Sequence, residues 1–409
     1  MIRTAAVLLL SAMMLPAQKP AYIGAGGCSG SNCHGGTTPA AENASRILTT
    51  EYSLWSISDK HSRAAKSLQT PRSKRMAQIL GIKDPMIDAK CASCHVAGSP
   101  ERLRSDGVAC EACHGAAEKW LGPHTQPKSH AASLSMGMID TKDIRQRAKN
   151  CLECHLGAAG KTVDHVMIAA GHPDLAFELE TFSFAQPAHY RAPRPEAGNT
   201  LPGVRMWAIG QAVALGESMR LLAQHAATQW PEFSHLDCSQ CHHDLRATSW
   251  RIERGYAKRP PGSLQMNLAR TAVVRVLASS ADLEKTLSRL EGLIATRLGQ
   301  GKEIGDAATA VAQQADALAA RFEKTDFRIA DANNMVQALV KDIARISGGG
   351  PHAAEQATMS LDALSVSYAQ NRDQAAKVLA ELYNYLEHPS TYTARDFSAL
   401  FRKAAARIQ

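Results

Sequence analysis

Ten cysteines fall into five pairs, and histidine follows each pair at once. The motifs are Cys28-Ser-Gly-Ser-Asn-Cys33-His34, Cys91-Ala-Ser-Cys94-His95, Cys110-Glu-Ala-Cys113-His114, Cys151-Leu-Glu-Cys154-His155 and Cys238-Ser-Gln-Cys241-His242. Four of them have the spacing C-x-x-C-H, the attachment signature of c-type haem. On a short helix, positions i, i+3 and i+4 share a face. Two thiols there can form thioethers to the porphyrin vinyl groups while the imidazole reaches the iron. The first motif has two extra residues that must loop outward, which Gly30 between two serines allows.

Other uses of paired cysteines fit less well. A redox dithiol needs C-x-x-C but not a histidine after every pair, and histidine supplies only 16 of 409 residues. Zinc knuckles need two pairs per ion, and five motifs do not divide that way. Disulfides across two-residue spacers would be strained and would stabilise little. The motifs therefore imply five covalently attached haems c, with His34, His95, His114, His155 and His242 as proximal iron ligands.

Five haems between residues 28 and 242 must be close neighbours, above all those of the Cys91 and Cys110 motifs. The aromatic content of 5% agrees, since porphyrins would supply large apolar bodies. The formal charge of +8 would ordinarily suggest nucleic acid. About ten propionate charges would bring the holoprotein near neutrality, and the N-terminus argues for export. Arg3, the apolar run AAVLLLSAMMLP and a small residue at Ala17 read as a signal peptide over residues 1–17. That implies a periplasmic or extracellular protein without nucleic-acid partners.

The elements that must position these ligands divide in two. Residues 18–258 read as a haem domain of short helices and long loops, with a proline-rich irregular stretch at 187–203 and a helix from about Arg205 to Ala226. After Arg259-Pro-Pro-Gly-Ser263 no cysteine recurs and apolar residues take helical spacing. Leu283, Leu287, Leu290, Ile294 and Leu298 form one stripe; Val311, Ala315, Leu318 and Phe322 a second; Val378, Leu382, Tyr383 and Leu386 a third. Residues 263–409 thus read as an all-α bundle of five to seven helices. The fold class expected is mainly α.

The stretch DKHSRAAKSL, the paired central motifs, CEACHGAAEKWLGPH and CLECH resemble the cytochrome c554 family of multihaem cytochromes, over roughly residues 28 to 190. That family shares its haem arrangement with hydroxylamine oxidoreductase and the pentahaem nitrite reductases. Later stretches, AAGHPDLAFELETFSFAQPAHY and DCSQCHHDL, look like parts of related bacterial multihaem proteins. The resemblance implies that His61 is the distal ligand of the Cys110/Cys113 haem and that His124 reaches back to the Cys28/Cys33 haem. His172 and His189 are candidates for two later haems. His165, seven residues before His172, shares its face if the segment is helical. His130, His225 and His235 read as structural, and His243 points away from the iron of its own motif. The family's core has four haems, so the fifth has no counterpart. One haem of the family, corresponding to Cys91–His95, lacks a sixth protein ligand.

Two functions follow from different states of the irons. Haems closed by two histidines exchange electrons but do not readily bind substrate, which points to electron transfer between redox protein partners, free or docked on a membrane-bound complex. One open iron would instead suit an oxidoreductase acting on a small nitrogen or sulfur compound such as hydroxylamine or nitrite. No C-x-x-C-K motif occurs, so the lysine-ligated catalytic haem of the pentahaem nitrite reductases is absent. The spare histidines favour electron transfer over catalysis.

Overall fold

The computed structural model describes residues 20–41, 47–191, 201–242, 262–368 and 372–408. The expected leader, His243 and most of the proline-rich stretch lie outside them. Among the described residues the secondary structure is helical, with only two isolated β-bridges, Ala158 to Lys161 and Leu236 to Met266. None of these helices is long and apolar enough to cross a membrane.

The first half is built from short pieces: α1 (Glu51–Ser58), α2 (Ala64–Ser67), α3 (Pro71–Ile79), α4 (Ala89–His95), α5 (Cys110–His114), α6 (His130–Ser135), α7 (Ile144–His155), α8 (His165–Ala170) and α9 (Leu179–Ala185). Several starts are set by side-chain caps. Thr70 caps α3 with Pro71 in its first turn, while Asp88, Asp143 and Asp164 accept from backbone amides of α4, α7 and α8. Three of the Cys–His motifs end or form such pieces, those of Cys91 on α4, Cys110 on α5 and Cys151 on α7.

The second half is a packed bundle. Helix α10 (Pro202–Thr228) is followed by α11 (Ala272–Ala278), α12 (Ala281–Thr296), α13 (Gly301–Glu323), α14 (Ile329–Gly348), α15 (Pro351–Tyr368), α16 (Arg372–Leu386) and α17 (Ala394–Ile408). The first two apolar stripes are buried at Leu283, Leu287, Leu290, Ile294, Val311, Ala315, Leu318 and Phe322, with Leu298 partly buried. Of the third, Val378 and Leu382 are buried, and Tyr383 and Leu386 pack against the core. Helix α10 is buried on most of its circumference, including Val204, Trp207, Ile209, Leu215 and Leu222. A helix apolar on all sides belongs inside a core, and α10 packs along α13 as well as against α7, α9 and α15.

One hydrophobic cluster runs without a break from Ala148 and Leu152 on α7 through α10 to Ile408. The segment expected to separate two domains, 258–263, lies almost wholly outside the described residues, and the packing of α10 on α13 passes across it. The N-terminal part has only two small side-chain clusters. One joins Ala65, Leu68, Ala92 and Val96; the other joins Ala25, Trp55 and Ala109. Cores this small do not ordinarily hold more than a hundred residues together, and small domains of this kind need an added staple.

The shared core generates a prediction. Leu215→Ala and Ile304→Ala each empty a fully buried position and are expected to cost about 2–5 kcal/mol, read from denaturant midpoints. A chain ending at Gly262 would expose the apolar face of α10 and is expected to aggregate. Recovery of that truncated chain as a soluble, fully folded protein would contradict the shared core.

Candidate functional site

In the Cys91 motif, α4 carries Cys91, Cys94 and His95 on one face. The His95 Nδ1 lies 3.0 Å from Ser67 Oγ and 3.2 Å from the Ala64 carbonyl. In the Cys110 motif, α5 is itself the five-residue motif. The buried Glu111 accepts from the amides of Ile23, Gly24 and Ala117, at 3.0, 2.7 and 2.7 Å. One carboxylate thus ties the N-terminal segment and the chain beyond α5 to the motif. The Cys151 motif ends the longer α7, whose Ala148 and Leu152 enter the main core. In the Cys238 motif a single 3-10 turn suffices, and Asp237 accepts from Ser239 N and Gln240 Nε2 at 3.0 and 2.9 Å.

The longer first motif closes differently. Cys28 ends a 3-10 turn at Ala25–Cys28. The extra residues form a tight turn in which the amides of Cys33 and Gly35 both donate to the Gly30 carbonyl at 2.9 Å. Gly35 is required there, because a Cβ would lie 1.9 Å from the Ser29 carbonyl oxygen.

Four of the five motif histidines have a second imidazole for a neighbour. Ring centroids are 6.4 Å apart for His34 and His124, 6.1 Å for His61 and His155, 6.4 Å for His95 and His172, and 6.2 Å for His165 and His242. His114 is partly buried, and after burial the largest electrostatic influence on it is that of His189. The separations have a physical meaning. A nitrogen–metal bond is about 2 Å long and an imidazole centroid lies about 1 Å behind its nitrogen. Two rings on opposite sides of one metal are therefore about 6 Å apart by that bond length.

Tautomers agree with this. His34 Nδ1 lies 3.0 Å from Glu51 Oε2 and His61 Nδ1 lies 3.0 Å from Asp59 Oδ1. The Nδ1 atoms of His172 and His189 lie 2.8 and 2.7 Å from the carbonyls of Pro173 and Pro187, and that of His124 meets the Leu121 carbonyl. Donation from Nδ1 leaves the Nε2 lone pair free for a metal, which is how ligating histidines are oriented. Burial lowers His114 and His155 to about 4, so both are neutral imidazoles at neutral pH, the form that binds metal.

The thiols also converge between motifs. All ten cysteines are unpaired. The Cys28 and Cys110 thiols influence each other's ionisation, as do Cys94 and Cys154, and burial pushes the Cys113 thiol up with Cys151 and Cys154 adding to it. Among the described residues no three His, Cys, Asp or Glu side chains converge as a bare ion would require. Large apolar side chains stand open beside the paired rings. Phe233 is 46% exposed although 5.7 Å from His165, and Val166 next to His165 is 58% exposed. Facing imidazoles, free thiols and uncovered apolar surface together fit a covalently attached haem.

Two expectations are corrected. His61 stands against His155 rather than His114. Its position follows from Asp59, which accepts from both His61 N and Nδ1, and from Val108, whose amide donates to the His61 carbonyl. His165 and His172 do not share a helical face. Gly171 adopts φ 115° and ends α8, so the two imidazoles turn to different partners, His242 and His95. His172 therefore stands opposite His95, at the position where the resembled family lacks a protein ligand. His225 and His235 contact each other, Nδ1 to Nε2, at 2.8 Å, and His130 lies 3.4 Å from Asp140.

Some supporting residues were not foreseen. Asp59, two residues before His61, was visible as a local signal. Glu51 and Ser67 act across the fold and left none. The bundle contributes as well: Arg270 donates to the carbonyls of Phe177 and Leu175 at 2.6 and 3.2 Å, and Gln356 to that of Phe177 at 3.3 Å. Phe177 stacks on His155, 5.1 Å between centroids, so the C-terminal helices hold a wall of the Cys151 motif's site.

Comparison with known proteins bears on the first motifs. Residues 28–115 match the family described as cytochrome c554 and c-prime. Cytochrome c-554 of Nitrosomonas europaea is 29% identical over 119 residues, which cover 24% of this chain and 50% of that protein. The chain thus spans about half the length of this curated relative. No solved structure matches the chain. The segment that carries the first three Cys–Cys–His motifs, residues 28–115, is thus similar to the cytochrome c554 family.

Proposed function

We propose that the protein is an exported five-haem c-type cytochrome that passes electrons between redox protein partners. The observation that carries this reading is the set of histidine pairs: four of the five motif histidines have a second imidazole at 6.1–6.4 Å. When bound, each haem supplies a one-electron iron couple. The protein's own part is to hold, orient and insulate.

Cys28 and Cys33, Cys91 and Cys94, Cys110 and Cys113, Cys151 and Cys154, and Cys238 and Cys241 hold the five macrocycles. His34 with His124, His95 with His172, His114 with His189, His155 with His61, and His242 with His165 would supply the histidine ligands of the five irons. Glu51 and Asp59 make His34 and His61 stronger electron donors than the carbonyl-bonded histidines.

The mutual influence of the thiols suggests an order for the path. The Cys28 thiol acts on Cys110, Cys113 is acted on by Cys151 and Cys154, and Cys154 acts on Cys94. The Cys238 thiol lies beside Asp174, two residues after His172. The path thus runs in an order different from the chain. A catalytic reading would need one iron with a free face, and four of the five motif histidines have a second imidazole close by. Export rests on the leader at residues 1–17.

Two outcomes test this. The intact mass of the denatured mature protein is expected to equal a chain beginning at Gln18 plus five haems. Four haems would remove one motif from the account, and an uncleaved N-terminus would remove the leader. His61→Ala and His172→Ala are each expected to convert one low-spin haem to high spin and to open it to carbon monoxide when reduced. If both variants kept the parental spectrum, the distal assignment would be wrong.

A further inference from the structure

Between Lys60 and Arg75 the chain carries six cations, Lys60, Arg63, Lys66, Arg72, Lys74 and Arg75, and no acid. All six are exposed, and among the described residues none forms an ion pair. Some exposed cations elsewhere are neutralised in place. Lys302 pairs with Asp306 at 2.7 Å, Arg297 with Glu303 at 3.3 Å and Arg407 with Glu381 at 3.5 Å. Asp59, the acid nearest in sequence, is buried and engaged with His61. A solvated face is the ordinary fate of a charge run, but its position here is specific.

The same segment reaches both imidazoles of one pair. Ala64 and Ser67 meet the Nδ1 of His95. Arg72 donates to the Gly171 carbonyl at 2.6 Å, next to His172, and α3 packs against α8. Two large apolar side chains stand open nearby in the chain, Ile79 at the end of α3 and Ile87 before α4, 54% and 61% exposed. Uncompensated charge around an apolar patch is the make-up of a transient interface. Unscreened cations repel one another and so cost stability in the free protein. That cost is recovered when an acidic surface covers them.

We propose that the Lys60–Arg75 face is the docking surface for a redox protein with an acidic rim around its own cofactor, and that electrons cross there to or from the His95–His172 iron. This rests on the electron-transfer reading above. Each crossing moves one electron: the iron goes from ferric to ferrous as the partner is oxidised by one electron, or the reverse, and no covalent bond changes.

Stopped-flow reduction of the holoprotein by an acidic flavodoxin hydroquinone tests the proposal. Reduction by the uncharged lumiflavin radical serves as the measure of haem integrity. The flavodoxin rate is expected to fall as salt rises. The triple variant Lys66→Glu, Lys74→Glu, Arg75→Glu is expected to lose about tenfold or more of the low-salt rate, within the range that electrostatic steering spans. A control with the same charge change on the C-terminal helices, Lys377→Glu, Arg402→Glu, Lys403→Glu, is expected to lose far less. Equal losses in both variants would mean that only net charge matters, and would overturn the docking face. Loss of haem from the first variant would mean that these cations hold the cofactor, and would overturn it too. An unchanged flavodoxin rate with lost binding to vesicles of anionic phospholipid would reassign the face to a membrane. Failure of lumiflavin to reduce the parental haems would instead defeat the electron-transfer reading itself.

Discussion

The structure depends on imidazoles that meet across a gap the width of a metal and its two bonds. Each pair joins segments far apart in the chain, His34 to His124 or His61 to His155. The small side-chain clusters around Ala65 and Trp55 cannot supply that cohesion. A metal bridge between two such segments closes a long loop and restricts the unfolded chain, as any covalent or coordinate staple does. In this region cofactor binding and folding are then one process, and the short capped helices serve as mounts for ligands rather than as units of a core.

The C-terminal helices obey the opposite rule. They are held by a continuous apolar core reaching from α7 to α17, with close packing of α10 on α13. The two regimes meet at residues 174–178. There the buried Arg270 and Gln356 hold the backbone of Leu175 and Phe177, and His352 lies 3.2 Å from Asp174. Burial lowers the Arg270 guanidinium from its ordinary range, against the influence of Asp174, Glu355 and Glu178, and its hydrogen bonds to the Phe177 and Leu175 carbonyls satisfy its donors. A helix bundle without ligands of its own thereby stiffens the wall behind His155.

What could be read from the residues was the local chemistry. Motif spacing identified the ten thiols and five proximal histidines as candidates, and the stripes on α12 and α13 were legible because helical period is local. Of the further histidines that stood out in the chain, His61, His124, His165 and His172 have rings near motif histidines. Their partners were not legible. Which imidazole meets which depends on long-range packing, and a single left-handed glycine at Gly171 separates two histidines that helical spacing would have put together. The burial of α10 was equally hidden, since a helix apolar on most faces shows no stripe. Glu51 and Ser67 orient histidines far away in the chain, so no nearby spacing announces them.

The central claim is that two histidines close every iron. Near-infrared magnetic circular dichroism of the fully oxidised holoprotein tests it most directly, because the charge-transfer bands report spin state and axial ligand type together. The account predicts the band of low-spin iron with two imidazoles at an intensity equivalent to five haems per chain, and no high-spin band. A high-spin band equivalent to one haem, or a shortfall of one in the bis-imidazole band, would contradict it.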